Sequence, residues 1–315
     1  MGSCLTVLLP VLNAMPYLPE ALASLEAQTF RDFEVCLWDN GSADGSVEEA
    51  RRWIPGRLPG RVVTERPLPL HKCLATMVEE ARTEFVARMD GDDVSMPQRF
   101  EWQIAALLGD SGLGIVGGRC PLIDMEGRDL DSSHPCPLTH EDIISEMMVR
   151  SALTHPALMF RRAAILEAGN YARPKPVEDL DLYFRMSGIC RFRNLDRVVL
   201  NYRIQPNSIC QLDLEGQQRQ VVEVVAQYAE KIYGLGREAY SRLRNKESFC
   251  SAVPMLRSAS YRCGGDAGRF RRIASSESFL FSARCFTRSG DWVSKAVYRV
   301  IGAMAERNVM REELQ

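Results

Sequence analysis

Over its first ninety residues the chain alternates short apolar runs with stretches of helical period, and this alternation restricts it to βαβ units around a parallel sheet. The runs Leu5–Leu9, Glu34–Trp38, Arg61–Thr64 and Phe85–Met89 read as strands. Between them Tyr17–Ala27, Ser46–Trp53 and His71–Ala81 read as helices, the first opened by Pro16 and the second by the Asp44-Gly45-Ser46 turn. Each strand except the third runs into a loop of polar residues or proline: Pro10–Asn13, Asp39–Ser42 and Asp90–Asp93. In an open parallel sheet the carboxyl-end loops share one edge, where ligands bind. Three segments far apart in sequence are therefore expected to converge.

Further on, a helix is expected over Pro97–Leu108, a glycine-rich strand over Ile115–Gly118, and a hairpin or loop to Pro137. Thr139 reads as the cap of a helix through Val149, and His155-Pro156 as the entry to an extended run ending at Phe160. Val177–Met186 has helical period, and Val198–Tyr202 reads as the strand that closes the αβ body. From about Leu214 the pattern turns helical throughout. The expected organisation is an αβ domain over 1–210, with halves 1–110 and 111–210, followed by a helical region over 211–315.

Composition excludes several classes. The apolar fraction of 46% in 315 residues supports a full core and excludes disorder as the dominant state. The ten cysteines show no C-x-x-C and no repeating interval, so they read as reduced small hydrophobes and not as a zinc or disulfide framework. No apolar run reaches the ~18 residues of a membrane span, and no basic leader precedes the first strand, so a cytoplasmic protein is expected. The formal net charge of −2 hides 14 basic against five acidic residues between Lys231 and Arg299. Basic amphipathic helices of that kind suit peripheral contact of residues 231–300 with an anionic membrane, here the inner face of the cytoplasmic membrane. Helices packed on the αβ body with solvated arginines are the plainer alternative. Nucleic acid is disfavoured, because no recognised module is present and the whole chain is slightly acidic.

Two acidic clusters carry the chemistry. Asp90, Asp92 and Asp93 follow an apolar strand, and three carboxylates in four residues persist only when solvent screens them or a cation neutralises them. A hard divalent ion bridging phosphate oxygens meets that need; an acidic surface turn is the alternative. Glu178, Asp179 and Asp181 open a helix, where the macrodipole alone favours carboxylates. The functional alternative makes one of them a general base, and their directions on the helix let only one of Asp179 and Asp181 face a cleft.

Taken in order, Val7–Asn13, Tyr17-Leu18, Ser24-Leu25, Gln28–Phe30, Phe33-Glu34, Asp39–Ser46, Phe85–Asp93, Met96–Phe100, Gln103, Glu178–Arg185 and Tyr202-Arg203 closely resemble the inverting family 2 glycosyltransferases, which have the GT-A fold. The resemblance covers about residues 4–210 and is strongest toward bacterial enzymes of surface-polysaccharide and O-antigen assembly. It implies an α/β GT-A fold with a mostly parallel central sheet and a C-terminal helical extension. It also implies transfer of a hexosyl or N-acetylhexosaminyl group from a nucleotide sugar, preferably a UDP-sugar, to a saccharide or lipid-linked oligosaccharide acceptor. Pro10, Leu12, Asn13 and Asp39 would bind the donor, with Asp39 reading a uracil-like imide N–H. Arg88 and Asp90 would serve its ribose and diphosphate side, Asp92 would hold Mg²⁺ or Mn²⁺, and Asp179 would be the base with Glu178 beside it. His155 stands where the family often has a polar residue near the diphosphate or acceptor, and a histidine packing before a strand is the plainer alternative. Departures from the family pattern include Leu12 where an aromatic residue is common, Asn40 where a second aspartate is frequent, and His71–Ala75 where Gly and Asn often stand. A sugar nucleotidyltransferase would need a glycine-rich basic loop that Pro10–Pro16 lacks, and a dehydrogenase would need G-x-G-x-x-G after Leu5–Leu9. A catalytically silent binding protein on the same scaffold is argued against by the joint presence of Asp39, Asp90, Asp92 and Asp179.

Overall fold

In the computed structural model, residues 3–147, 151–174 and 176–205 are described, together with positions 220, 221, 223–225, 227 and 228. The expectations for 211–315 fall, but for those last positions, outside the described residues. Contacts divide the chain into two units, Met1–Ile143 with Ser151–Gln217, and Ile144–Arg150 with Gln218–Gln315. Apart from residues 144–147, every element that follows lies in the first unit.

Strand β1 (Leu5–Val11) is buried at every position, which is why it reads as a continuous apolar run and not as an alternation. Helix α1 (Leu18–Glu26) buries Leu18, Ala21, Leu22 and Leu25, an i, i+3, i+4, i+7 stripe. Strand β2 (Phe33–Asp39) follows, then α2 (Ser46–Trp53), β3 (Gly60–Val63), α3 (Leu70–Glu80) and β4 (Phe85–Arg88). β1 pairs in parallel with β2 and β4, and β2 with β3. The register sets Val11 opposite Asp39 and Leu8 opposite Arg88, so the ends of β2 and β4 flank the end of β1 on one sheet edge.

Beyond β4 come β5 (Val94–Ser95), α4 (Arg99–Gly109), β6 (Leu113–Arg119), β7 (Pro121–Ile123), β8 (Asp129–Ser133), α5 (His140–Met147) and a 3₁₀ turn at His155–Ala157. The chain continues with β9 (Met159–Arg161), α6 (Arg162–Glu167), α7 (Glu178–Met186), β10 (Arg191–Val198) and β11 (Leu200–Arg203). The main sheet has the order β10-β6-β9-β4-β1-β2-β3, and a second sheet the order β5-β11-β7-β8. β9 runs antiparallel to both its neighbours, and it is the antiparallel member of an otherwise parallel sheet. This mostly parallel α/β architecture is the expected one.

Several expectations need correction in detail. The single strand expected at Val198–Tyr202 is the junction of two: β10 ends at Val198, and β11 begins at Leu200 in the other sheet. Most of β10 was not expected. Its sequence RFRNLDRV buries Phe192 and Asn194 while Arg191 and Arg193 stay exposed at the sheet edge, and charge on an edge strand hides the apolar alternation. α6 was missed because six residues show barely two helical turns. The helix expected to reach Val149 is described only to Met147, since 148–150 are outside the described residues.

Conserving polarity within this core are three braces. Gln28 donates to the carbonyls of Ser24 (3.1 Å) and Met96 (2.8 Å) and to Ser95 Oγ (3.1 Å), and its Oε1 accepts from the Phe100 amide (3.2 Å). Gln103 donates to the carbonyls of Val116 (2.9 Å) and Ala157 (2.8 Å). Arg99, fully buried, donates to the Arg88 carbonyl (2.8 Å) and to Gln103 Oε1 (3.1 Å). Buried donors and acceptors left without partners cost about 1–3 kcal/mol each, so these bonds fix where β4 and its loop end. Cys36, Cys73 and Cys120 are buried, and Cys4, Cys136 and Cys190 are half-buried.

Candidate active site

Hydrogen bonds lace together the loops after β1 and β2, which form a rim at this sheet edge. Asn13, in left-handed conformation at φ 52°, donates its amide to Ser42 Oγ (2.8 Å) and accepts from the Ala43 amide through Oδ1 (2.9 Å). The Ala14 amide donates to Ser46 Oγ (2.9 Å) and the Met15 amide to Asp44 Oδ2 (2.8 Å). Asn40 Oδ1 accepts from the Leu68 amide (3.0 Å), which ties in the loop after β3. Asp39 is buried beneath this loop and accepts from the amides of Gly41 (2.9 Å) and Ser42 (3.1 Å). A carboxylate has about four lone-pair sites, so these turn bonds leave acceptor capacity. Pro10 is buried in β1, whereas Leu12 projects from the rim and is 54% exposed. Lys72 is exposed near the start of α3.

At the end of β4 the metal candidates stand together: ligand oxygens of Asp90, Asp92 and Asp93 lie within 4.8 Å of one another. Burial and the charge of Asp90 push the Asp92 carboxyl up to about 6, against a hydrogen bond from Gln205 Nε2 to its Oδ2 (2.5 Å). Asp93 is raised well above the usual carboxylate range by burial and by both neighbours, and its Oδ2 is buried without a hydrogen-bond partner. Arg88 pairs with Asp90 from below. Three carboxylates and this one guanidinium leave two formal negative charges, and an all-oxygen donor set with that residual charge fits a divalent ion.

Arg88 interacts electrostatically with both this cluster and Tyr171. Burial opposes its charge, but Asp90 outweighs burial and holds the guanidinium ionised; Tyr171 and Asp93 add to this field. Tyr171 in turn is raised by burial and by Asp179 and Glu178, with Arg88 acting in the opposite sense. Tyr183, raised mainly by burial, feels Asp179, Tyr171 and Arg88 as well. His155 shares a 2.8 Å hydrogen bond between its Nε2 and the Tyr171 hydroxyl, and its ring packs against Tyr171 and Tyr183. The metal candidates and the base candidates thus belong to one electrostatic neighbourhood.

Within α7 the carboxylates divide by direction, as helical geometry requires. Asp179 is half-buried, with its Oδ1 accepting from the Leu180 amide (2.7 Å) in the first turn, and Glu178 is buried beside it. Asp181 faces inward and is held by Arg173 Nε (3.0 Å) and by Arg185 Nε (2.9 Å) and Nη2 (2.8 Å). It is a strut. Sequence reasoning missed Arg173, Arg185 and Arg203 as organisers of the site; only Arg185 and Arg203 lay within motifs that could have drawn attention to them.

The aspartate cluster after β4 is a candidate cation site, and the carboxylates that open α7 are candidates for acid–base chemistry. Residues 6–168, more than half the chain, match the family described as Glycosyl transferase family 2. The chain belongs to that family and is a glycosyltransferase. It is 29% identical over 209 residues to the O-antigen biosynthesis glycosyltransferase WbnJ of Escherichia coli, across 65% of this chain and 81% of that protein. It is 30% identical over 189 residues to the amylovoran biosynthesis glycosyltransferase AmsE of Erwinia amylovora, across 59% and 70%. Among solved structures, S. aureus TarS 1-349 in complex with UDP-GlcNAc superposes with a TM-score of 0.56 at 16% identity, covering 98% of this chain and 92% of that one. Mannosyltransferase PcManGT from Pyrobaculum calidifontis, in complex with GDP-Man and Mn²⁺, gives 0.55 at 19% identity, covering 98% and 88%. These likenesses show the shared GT-A fold.

Proposed function

We propose that the protein transfers a hexosyl or N-acetylhexosaminyl group, with inversion, from a nucleoside-diphosphate sugar to a saccharide acceptor in bacterial surface-polysaccharide assembly. The observation that carries this reading is the aspartate cluster after β4, where ligand oxygens of Asp90, Asp92 and Asp93 lie within 4.8 Å of one another, in a chain whose residues 6–168 match the glycosyltransferase family. Names of the relatives, O-antigen and amylovoran biosynthesis glycosyltransferases, support the polysaccharide setting. UDP-GlcNAc and GDP-Man in the structural neighbours support a nucleotide sugar, and the Mn²⁺ in one of them supports a divalent cofactor, Mn²⁺ or Mg²⁺.

Asp92 would hold the ion, with Asp90 toward the ribose and diphosphate. A bound divalent ion supplies charge stabilisation for the leaving diphosphate. Asp179 takes the proton from the acceptor hydroxyl as its oxygen attacks the anomeric carbon from the face opposite the diphosphate, so one displacement inverts the configuration. Glu178 orients the helix turn that carries the base. On the donor side Pro10, Leu12, Asn13 and Asp39 frame the base and ribose, with a UDP-sugar preferred, and His155 acts through Tyr171 on the floor of the pocket. The preferred acceptor is lipid-linked, with the basic region 231–300 meeting an anionic membrane from the cytoplasmic side. That region lies outside the described residues, and among the described residues no helix is long and apolar enough to cross a membrane.

A panel of UDP-, GDP- and dTDP-sugars, assayed for release of nucleoside diphosphate with and without Mn²⁺, tests the reading. Metal-dependent diphosphate release from one donor is expected. Pyrophosphate release would make the protein a nucleotidyltransferase, and binding without turnover on every acceptor would make it a silent sugar-nucleotide binder.

A further inference from the structure

Arg203 ends β11, far in sequence from the aspartate cluster, and its side chain is 1% exposed. Its backbone amide donates to Asp93 Oδ1 (2.9 Å), and its Nε to the Asp92 carbonyl (2.8 Å). Nη1 donates to the carbonyls of Asp124 (2.9 Å) and Met125 (3.2 Å) in the turn between β7 and β8. Nη2 reaches Glu20 Oε2 on α1 (2.6 Å), and the guanidinium lies over the Tyr17 ring, 4.6 Å from its centroid. One planar fork therefore joins the aspartate loop, the β7–β8 turn and α1. Toward Asp92 the side-chain contact is to the main chain and does not occupy the carboxylate, whose Oδ2 accepts from Gln205 Nε2.

From this geometry we infer that Arg203 is the positioning residue for the divalent ion: it fixes the backbone of Asp92 and the carboxylate of Asp93. The inference rests on the proposed metal-dependent reading and deepens it. Three carboxylates in four residues repel one another, and a loop free to relax would splay them apart. The Arg203 fork resists that relaxation in the metal-free protein, so the ligands stand ready before the ion arrives. A lysine places one compact ammonium where the fork makes four bonds, and it cannot hold the Asp92 carbonyl, both turn carbonyls and Glu20 together.

The test is Mn²⁺ binding by full-length Arg203→Lys, read from the free-ion electron paramagnetic resonance signal with UDP present. Melting curves and kinetics at saturating Mn²⁺ run beside it. Outer-sphere partners of metal ligands set affinity by about 10–100-fold, so the Mn²⁺ dissociation constant is expected to rise at least about tenfold. With saturating Mn²⁺, kcat should return to within about threefold of wild type, because the fork touches no reacting atom. A lower melting temperature with unchanged Mn²⁺ affinity would reduce Arg203 to a structural brace and overturn the inference. A loss of kcat that saturating metal does not restore would overturn it too. If Arg203→Lys does not fold, Glu20→Gln, which removes the charge facing Nη2, should weaken Mn²⁺ binding in the same direction by about two- to threefold, within the reach of an outer-sphere change; no weakening would overturn the inference. Wild-type protein that binds no Mn²⁺ removes the metal reading and this inference together, whereas wild-type binding that neither variant weakens removes this inference alone.

Discussion

Asp179 and Asp181 sit two residues apart on one helix, and the structure gives them opposite consequences on substitution. Asp181→Asn keeps the shape but removes the charge that Arg173 and Arg185 face, and turns an amide N–H toward their donors. The Asp181 side chain is 4% exposed; Arg185 is 21% and Arg173 35% exposed. The Arg173 contact is screened and adds little, while Arg185 loses two charge-assisted bonds and keeps the carbonyls of Ala168 and Asn170. Together the loss comes to about 3 kcal/mol, between the values for a surface pair and a fully buried one. For a unit of roughly 200 residues, at about 2–4 °C per kcal/mol, the melting point should fall by about 6–12 °C. Asp179→Asn, half-buried in the first turn, should change stability by less than about 1 kcal/mol. Yet it should cut turnover by about a thousandfold, with nucleotide affinity within a few fold, because it removes the base. Thermal melts and diphosphate release on both variants decide the matter. An Asp181→Asn protein that melts within a degree or so of wild type refutes the strut, and near-normal turnover in Asp179→Asn refutes the base.

Asp92→Ala should abolish Mn²⁺-dependent stabilisation and weaken UDP binding, seen by calorimetry with and without metal. Leu12→Tyr gives the base a ring to stack on and should tighten UDP roughly fivefold, about 1 kcal/mol, by titration calorimetry; unchanged affinity would mean that Leu12 lies off the base. His140 is held below its ordinary value by burial, and its Nδ1 accepts from the Phe192 amide (3.1 Å). Since the unfolded chain then takes the proton first, acidification through about pH 6.5 favours unfolding. Urea midpoints of wild type should therefore fall relative to His140→Asn between pH 7 and 5, and parallel profiles would contradict this. Gly60 has φ +143°, and a Cβ there would meet the Val35 carbonyl oxygen at 2.0 Å. Gly60→Ala should cost at least about 2 kcal/mol in urea denaturation, and a neutral result would show that β3 can shift away from β2.

The parallel half of the fold was legible because β1, β2 and β4 are mostly apolar and buried at every position but Glu34, and their loops announce themselves with proline, glycine and aspartate. What was hidden had other physical causes. β5 is two residues long, too short for any period. β9 follows a 3₁₀ turn and enters antiparallel, a direction that no local pattern encodes. The motif residues divided in a way that spacing could not reveal. Gln28, Arg99 and Gln103 are buried and hold backbone, while Asp92 and Asp179 are only partly buried. The resemblance located the acidic clusters, but only tertiary contacts separate Asp181, paired to two arginines, from Asp179.

Because the side chains of Asn13, Ser42, Asp44 and Ser46 each accept from a backbone amide of the opposite loop, the two loops behave as a single interlocked clasp. Under the proposed donor-side role of these loops, residues 12–16 and 40–46 must be exchanged as a pair for a relative's nucleotide preference to be transplanted. A graft of either loop by itself would leave half the stitches with no eyelet to pass through.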